Sequence, residues 1–74
     1  MSAVEYQVML FKSVSHALLA EKTLKASGIP FKLIPVPRHI SSDCGVCLRF
    51  AADDRERIER ALAGTASYEK IQPL

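Results

Sequence analysis

The spacing of apolar residues along this chain changes in a fixed order: period two, helical, period two twice, helical, period two. In 74 residues that order leaves few ways to build a core. Residues 6–11 (Tyr-Gln-Val-Met-Leu-Phe) form a short apolar run of β-formers and predict a strand. Tyr6, Val8 and Leu10 alternate with Gln7, Met9 and Phe11, so both faces are apolar enough for a central strand. Ser13 and Ser15 are candidate N-caps for a helix over 15–27. There Ala17, Ala20 and Leu24, with Leu18 or Glu21, recur at helical spacing. Lys22 and Lys25 suit the negative end of its dipole, Gly28 a left-handed stop, and Pro30 ends the pattern. His16 falls in the first turn, as an exposed polar residue or, less simply, as part of a site beside the sheet end.

Residues 31–34 predict a second strand, with Phe31 and Leu33 on one face and Lys32 and Ile34 on the other. Pro35 and Pro37 lack a donor N–H and end its pairing. The loop that follows, to Asp43, is longer than a tight hairpin needs. Residues 46–50 predict strand three, with Val46, Leu48 and Phe50 toward the helices and Cys47 and Arg49 opposite. Asp53 and Glu56 have capping-box spacing and open a second helix carrying Ile58, Ala61 and Leu62, which Gly64 ends. Residues 67–71 predict the last strand. This order is the ferredoxin-like βαββαβ pattern, an α+β fold with a four-stranded antiparallel sheet and two helices on one face. The other face is expected to be open, with Met9, Phe11, Ile34 and Cys47 on it, as a surface for self-association or partner docking.

Composition narrows the function classes. The length suits one domain, 1–74, with no room for a deep pocket. Ten basic against eight acidic residues give a net charge of +2, too small to imply nucleic acid. No apolar run approaches the roughly 20 residues that cross a bilayer, which predicts no membrane span. Residues 1–6 show neither a basic n-region nor an apolar h-region, which predicts the cytoplasm. There thiols stay reduced, and a Cys-x-x-Cys spacing points to chemistry more than to a staple.

Both cysteines, Cys44 and Cys47, lie in the stretch 35–50 (Pro-Val-Pro-Arg-His-Ile-Ser-Ser-Asp-Cys-Gly-Val-Cys-Leu-Arg-Phe). The nucleophile is the thiolate, and nearby cations or backbone N–H groups lower a thiol pKa from about 8.5. Arg38, His39 and Arg49 are near Cys44 in sequence, and Gly45 admits close backbone approach, whereas Asp43 opposes ionisation. On a regular strand Cys44 and Cys47 have opposite parity and stand about 10 Å apart. A disulfide needs Cα atoms within about 7 Å, so an internal bridge would require a turn at Cys44-Gly45. A plain reading of Cys47 is a small apolar residue filling a sheet face, and of Cys44 an inert loop cysteine. The two cysteines with His16 and His39 could supply four zinc ligands, but no second pair has the usual spacing, so neither a metal nor a cofactor is expected. A thioredoxin-type site is excluded because its Cys-x-x-Cys opens a helix, whereas this one opens a strand.

The segments 11–25, 28–38 and 40–50, above all the block Pro-Arg-x-Ile-Ser-Ser-x-Cys-Gly, resemble a small bacterial family described as selenium/sulfur carrier protein-like. The resemblance covers nearly the whole chain. It implies that Cys44, the cysteine before glycine, carries a persulfide or selenopersulfide. Arg38, Ser41, Ser42 and Gly45 match the surrounding motif. Cys47 departs from it, since a small apolar residue is common there; here it is either incidental or resolves the persulfide. The implied mechanism is relay: Cys44 takes sulfur or selenium from a donor such as a cysteine desulfurase and passes it to an acceptor protein. Arg38 and Arg49 would stabilise the anion, and Ser41, Ser42 and loop N–H groups would hydrogen-bond it. The rival is a docking or small-ligand regulatory module that uses the open sheet face and the 35–43 loop, with passive cysteines. Thiol reactivity separates the two.

Overall fold

The computed structural model describes residues 5–40 and 45–74. Four strands form one sheet: β1 (Tyr6–Leu10), β2 (Lys32–Pro35), β3 (Val46–Ala51) and β4 (Lys70–Pro73). Helix α1 (Val14–Ser27) joins β1 to β2, and a 3₁₀ turn (Ala52–Asp54) with α2 (Arg55–Leu62) joins β3 to β4. The spatial order is β2-β3-β1-β4, and every neighbouring pair is antiparallel. This is the ferredoxin-like α+β arrangement that the periodicity predicts.

Local chemistry sets the ends of α1. Ser13 is extended (φ −152°, ψ 161°), and its hydroxyl accepts from the His16 N–H at 3.4 Å. Of the two candidate caps, Ser13 is the one used, and Ser15 lies inside the helix. At the other end Gly28 takes φ 70°. Its N–H donates to the Lys25 carbonyl and the Ile29 N–H to the Leu24 carbonyl, a Schellman motif. Leu24 and Ile29 are both buried in the same cluster, which supplies the apolar contact that accompanies such a stop. Ala17, Ala20 and Leu24 form the buried stripe; Leu18 is exposed, so the alternative Glu21, half-buried, is the one that follows it.

Strand register decides which residues meet. Met9 pairs with Leu48, and both belong to the main core with Phe11, Phe50, Ile58 and Leu62 beneath the helices. Val8 and Leu10 face the other way and join Cys47, Ile40, Ile34 and Val36 in a second cluster. This corrects the expectation for Met9 and Phe11, which lie on the helix side. It also changes the second face itself. Val36 and Ile40, from the segment after β2, pack on it, and Val8, Leu10 and Cys47 are fully buried. The apolar part of the supposedly open face is thus covered by the chain's own loop.

Three boundaries shift for physical reasons. Pro35 pairs with Val46 as the last residue of β2, which is tolerated because β2 is an edge strand. The last strand lies at Lys70–Pro73 instead of 67–71, since Leu62 accepts from both Thr65 and Ala66 in a turn that delays its entry. Asp53 does not open α2. A 3₁₀ turn comes first, Asp54 takes the N-cap place without a side-chain cap bond, and its carboxylate pairs with Arg57 at 3.0 Å.

Candidate functional site

The β2–β3 connection is held at two points. Pro37 to Ile40 make a turn in which the Ile40 N–H donates to the Pro37 carbonyl at 3.0 Å. That turn sets Ile40 into the second cluster beside Cys47, with 7% of its surface exposed. Just before β3, the Gly45 carbonyl accepts from the Val36 N–H at 3.2 Å and continues the β2–β3 ladder. Three of the candidate positions, Ser41, Ser42 and Cys44, lie outside the described residues, as does Asp43. The two anchors fix where the chain enters and leaves that segment: the end of the sheet at which Ile34, Cys47 and Leu10 stand in register.

Around these anchors the other predicted residues separate into groups. Arg38 and His39 are exposed together on the 37–40 turn. Gly45 is exposed, and a Cβ built on it would meet no atom within 4 Å. Neither packing nor a left-handed φ demands glycine there. Cys47 is fully buried among apolar side chains. Arg49 is on the same face two residues further along β3. Its guanidinium carbon is 4.4 Å from the centroid of the Tyr6 ring. His16 belongs to the helix layer, its Nδ1 2.7 Å from Ser13 Oγ, whereas His39 belongs to the turn on the other face. Among the described residues no group of three or more His, Cys, Asp or Glu is placed to hold a metal ion. No described helix is long and apolar enough to cross a membrane.

The sequence profile of the family described as "Putative Se/S carrier protein-like" matches residues 5–72. The chain belongs to this family. The match runs from the residue before β1 into β4, so it spans the sheet, both helices and the anchored loop. The chain is also 28% identical over 57 residues to the uncharacterized protein YtiA of Escherichia coli (strain K12), covering 77% of this chain and 67% of that one. No solved structure matches. In this chain the 36–45 connection is the part of the fold that periodicity leaves undetermined.

Sequence reasoning missed two features of the site. Ile40 is a lone large apolar residue in a polar loop, which is itself a sign of an anchor. Tyr6 meets Arg49 only through the β1–β3 register, which the sequence does not supply.

Proposed function

We propose that this protein carries sulfur or selenium as a persulfide or selenopersulfide on Cys44. The observation that carries the reading is the family match over 5–72 together with a cysteine-bearing loop pinned on both sides. In the transfer step the Cys44 thiolate attacks the outer sulfur of a donor persulfide. A sulfur–sulfur bond forms at Cys44, the donor's sulfur–sulfur bond breaks, and the donor leaves as a thiolate. No outside oxidant or reductant is needed. The second transfer repeats this exchange with an acceptor thiolate as the attacking group.

Several features support this chemistry. Ile40 and the Val36–Gly45 hydrogen bond restrict the loop ends, which lowers the ordering entropy at transfer. Arg38 and His39 are the exposed basic residues on the preceding turn, and Gly45 leaves room for an approaching sulfur. Helix α1 begins at the same end of the sheet, where the positive end of its dipole favours an anion. In this reading Ser41 and Ser42 hydrogen-bond the bound group. Arg49, tied to Tyr6, acts at a distance or in partner contact. Cys47 fills the sheet face and resolves the persulfide only if the loop opens.

The test is intact mass after incubation with a cysteine desulfurase and cysteine. The wild type and Cys47→Ala should gain one sulfur, and Cys44→Ala should gain none. An unmodified wild type, with thiols that react only slowly with alkylating agents, would leave the docking-module reading as the better account.

A further inference from the structure

The two layers of this fold treat charge differently. The four ion pairs among the described residues, Glu21–Lys25, Asp54–Arg57, Glu56–Arg60 and Arg55–Glu59, lie within α1 or within the 52–62 segment. None involves a cation of the second sheet face. On that face the strand positions are apolar, neutral or basic, and none is acidic. Lys32 and Arg49 are direct partners across β2 and β3, and Lys70 shares the face through its register with Leu10. Like charges placed directly opposite destabilise a sheet. Arg49 adds a second cost: its Nε is buried with no hydrogen-bond acceptor. Its guanidinium rests on Tyr6 instead of on a carboxylate. Tyr6, Phe31, Lys32 and Arg49 line a cleft of about 370 Å³. Asp54 also lines this cleft, but its carboxylate pairs with Arg57.

We propose that this end of the sheet docks an acidic segment of a partner protein, with a partner carboxylate seated between Lys32 and Arg49. The charge complementarity follows from the uncompensated pair, since a carboxylate there relieves the repulsion that the isolated chain bears. A single strand of RNA fits less well. The guanidinium of Arg49 occupies the Tyr6 ring face on which a base would stack. The partner's role rests on the carrier reading. Lys32 and Arg49 lie one strand repeat, about 7 Å, from the Ile34–Cys47 row on which the 36–40 turn packs. Docking there brings a donor or acceptor thiol to the Cys44 loop.

The experiment is fluorescence anisotropy of a labelled synthetic peptide rich in glutamate and aspartate, at low and at physiological salt. Binding should saturate and weaken as salt rises. Lys32→Gln and Arg49→Gln should each weaken it about tenfold, whereas Lys22→Gln on α1 and Cys44→Ala should leave it unchanged. Lys32→Gln should also raise the urea midpoint of the unbound protein, because it removes the like-charge pair. A residue that merely supported the fold would move stability and binding down together. Equal binding by all variants, a lowered midpoint in Lys32→Gln, or tighter binding of a uridine oligonucleotide than of the peptide overturns the proposal. Persulfide loading of the wild type separates the two readings: peptide binding without loading leaves the dock and removes the carrier, and loading without peptide binding does the reverse.

Discussion

At the scale of single residues, Gly45 and Cys47 have opposite surroundings. Gly45 is exposed with open space around it, and Cys47 is fully buried among Val8, Leu10 and Ile40. A thiol in that cluster has to be uncovered before it can react. In the Cys44→Ala protein, alkylation of the remaining thiol should therefore be slow and should rise with urea along the global unfolding curve; rapid labelling of the native protein would show that the 36–40 cover opens by itself. Cys47→Ser places a hydroxyl in an apolar site and should destabilise by about 1–3 kcal/mol in urea titrations. Gly45→Ala should behave differently. It meets no clash, so stability should hold or rise by up to about 1 kcal/mol. Persulfide loading should slow if the open space admits the donor sulfur. Loading at the wild-type rate would show that the space is unused.

At the scale of elements, the loop after β2 and the helix after β1 illustrate two ways of fixing a segment. Helix α1 is fixed locally, by the Ser13 cap and the left-handed Gly28, both of which can be read from the residues. The loop is fixed by tertiary contact, through Ile40 and Val36 on the sheet. Ile40→Ala should thus cost about 2 kcal/mol or more. Hydrogen exchange should then quicken in 36–40 and at Cys47 while α1 keeps its protection. Uniform loss of protection across the chain would argue that the loop and the core are one cooperative unit. The second helix shows the limit of local signals. Asp53 and Glu56 have the spacing of a capping box, yet the chain leaves β3 through a 3₁₀ turn and Glu56 pairs with Arg60.

At the scale of the whole molecule, one sheet is packed on both sides. The larger core lies under the helices, and the smaller one lies under the chain's own loop. A chain of 74 residues has a total stability of roughly 4–11 kcal/mol at typical values per residue. Leu48 sits at the centre of the larger core with no exposed surface and pairs with both Met9 and Leu33. Leu48→Ala should cost about 2–5 kcal/mol, a large part of that total, and should lower the midpoints seen by far-UV and near-UV circular dichroism together. Separate shifts of the two signals would show that the cores unfold independently.

Much of this architecture was legible in the residues alone. The order of elements follows from apolar periodicity, and the limits of α1 follow from serine, glycine and proline chemistry. The faces of β3 follow from strict alternation between Val46, Leu48, Phe50 and Cys47, Arg49. These are local signals, set within a few residues by backbone geometry. β1 was different because it is apolar at both parities, so alternation could not say which set faces the helices. Only pairing with β3 assigns Met9 to the main core and Val8 and Leu10 to the other side. The same holds for the cover that Ile40 and Val36 provide, and for the juxtaposition of Lys32, Arg49 and Tyr6. Each of these joins residues distant in sequence, and the free energy that selects them arises only when the strands come into register.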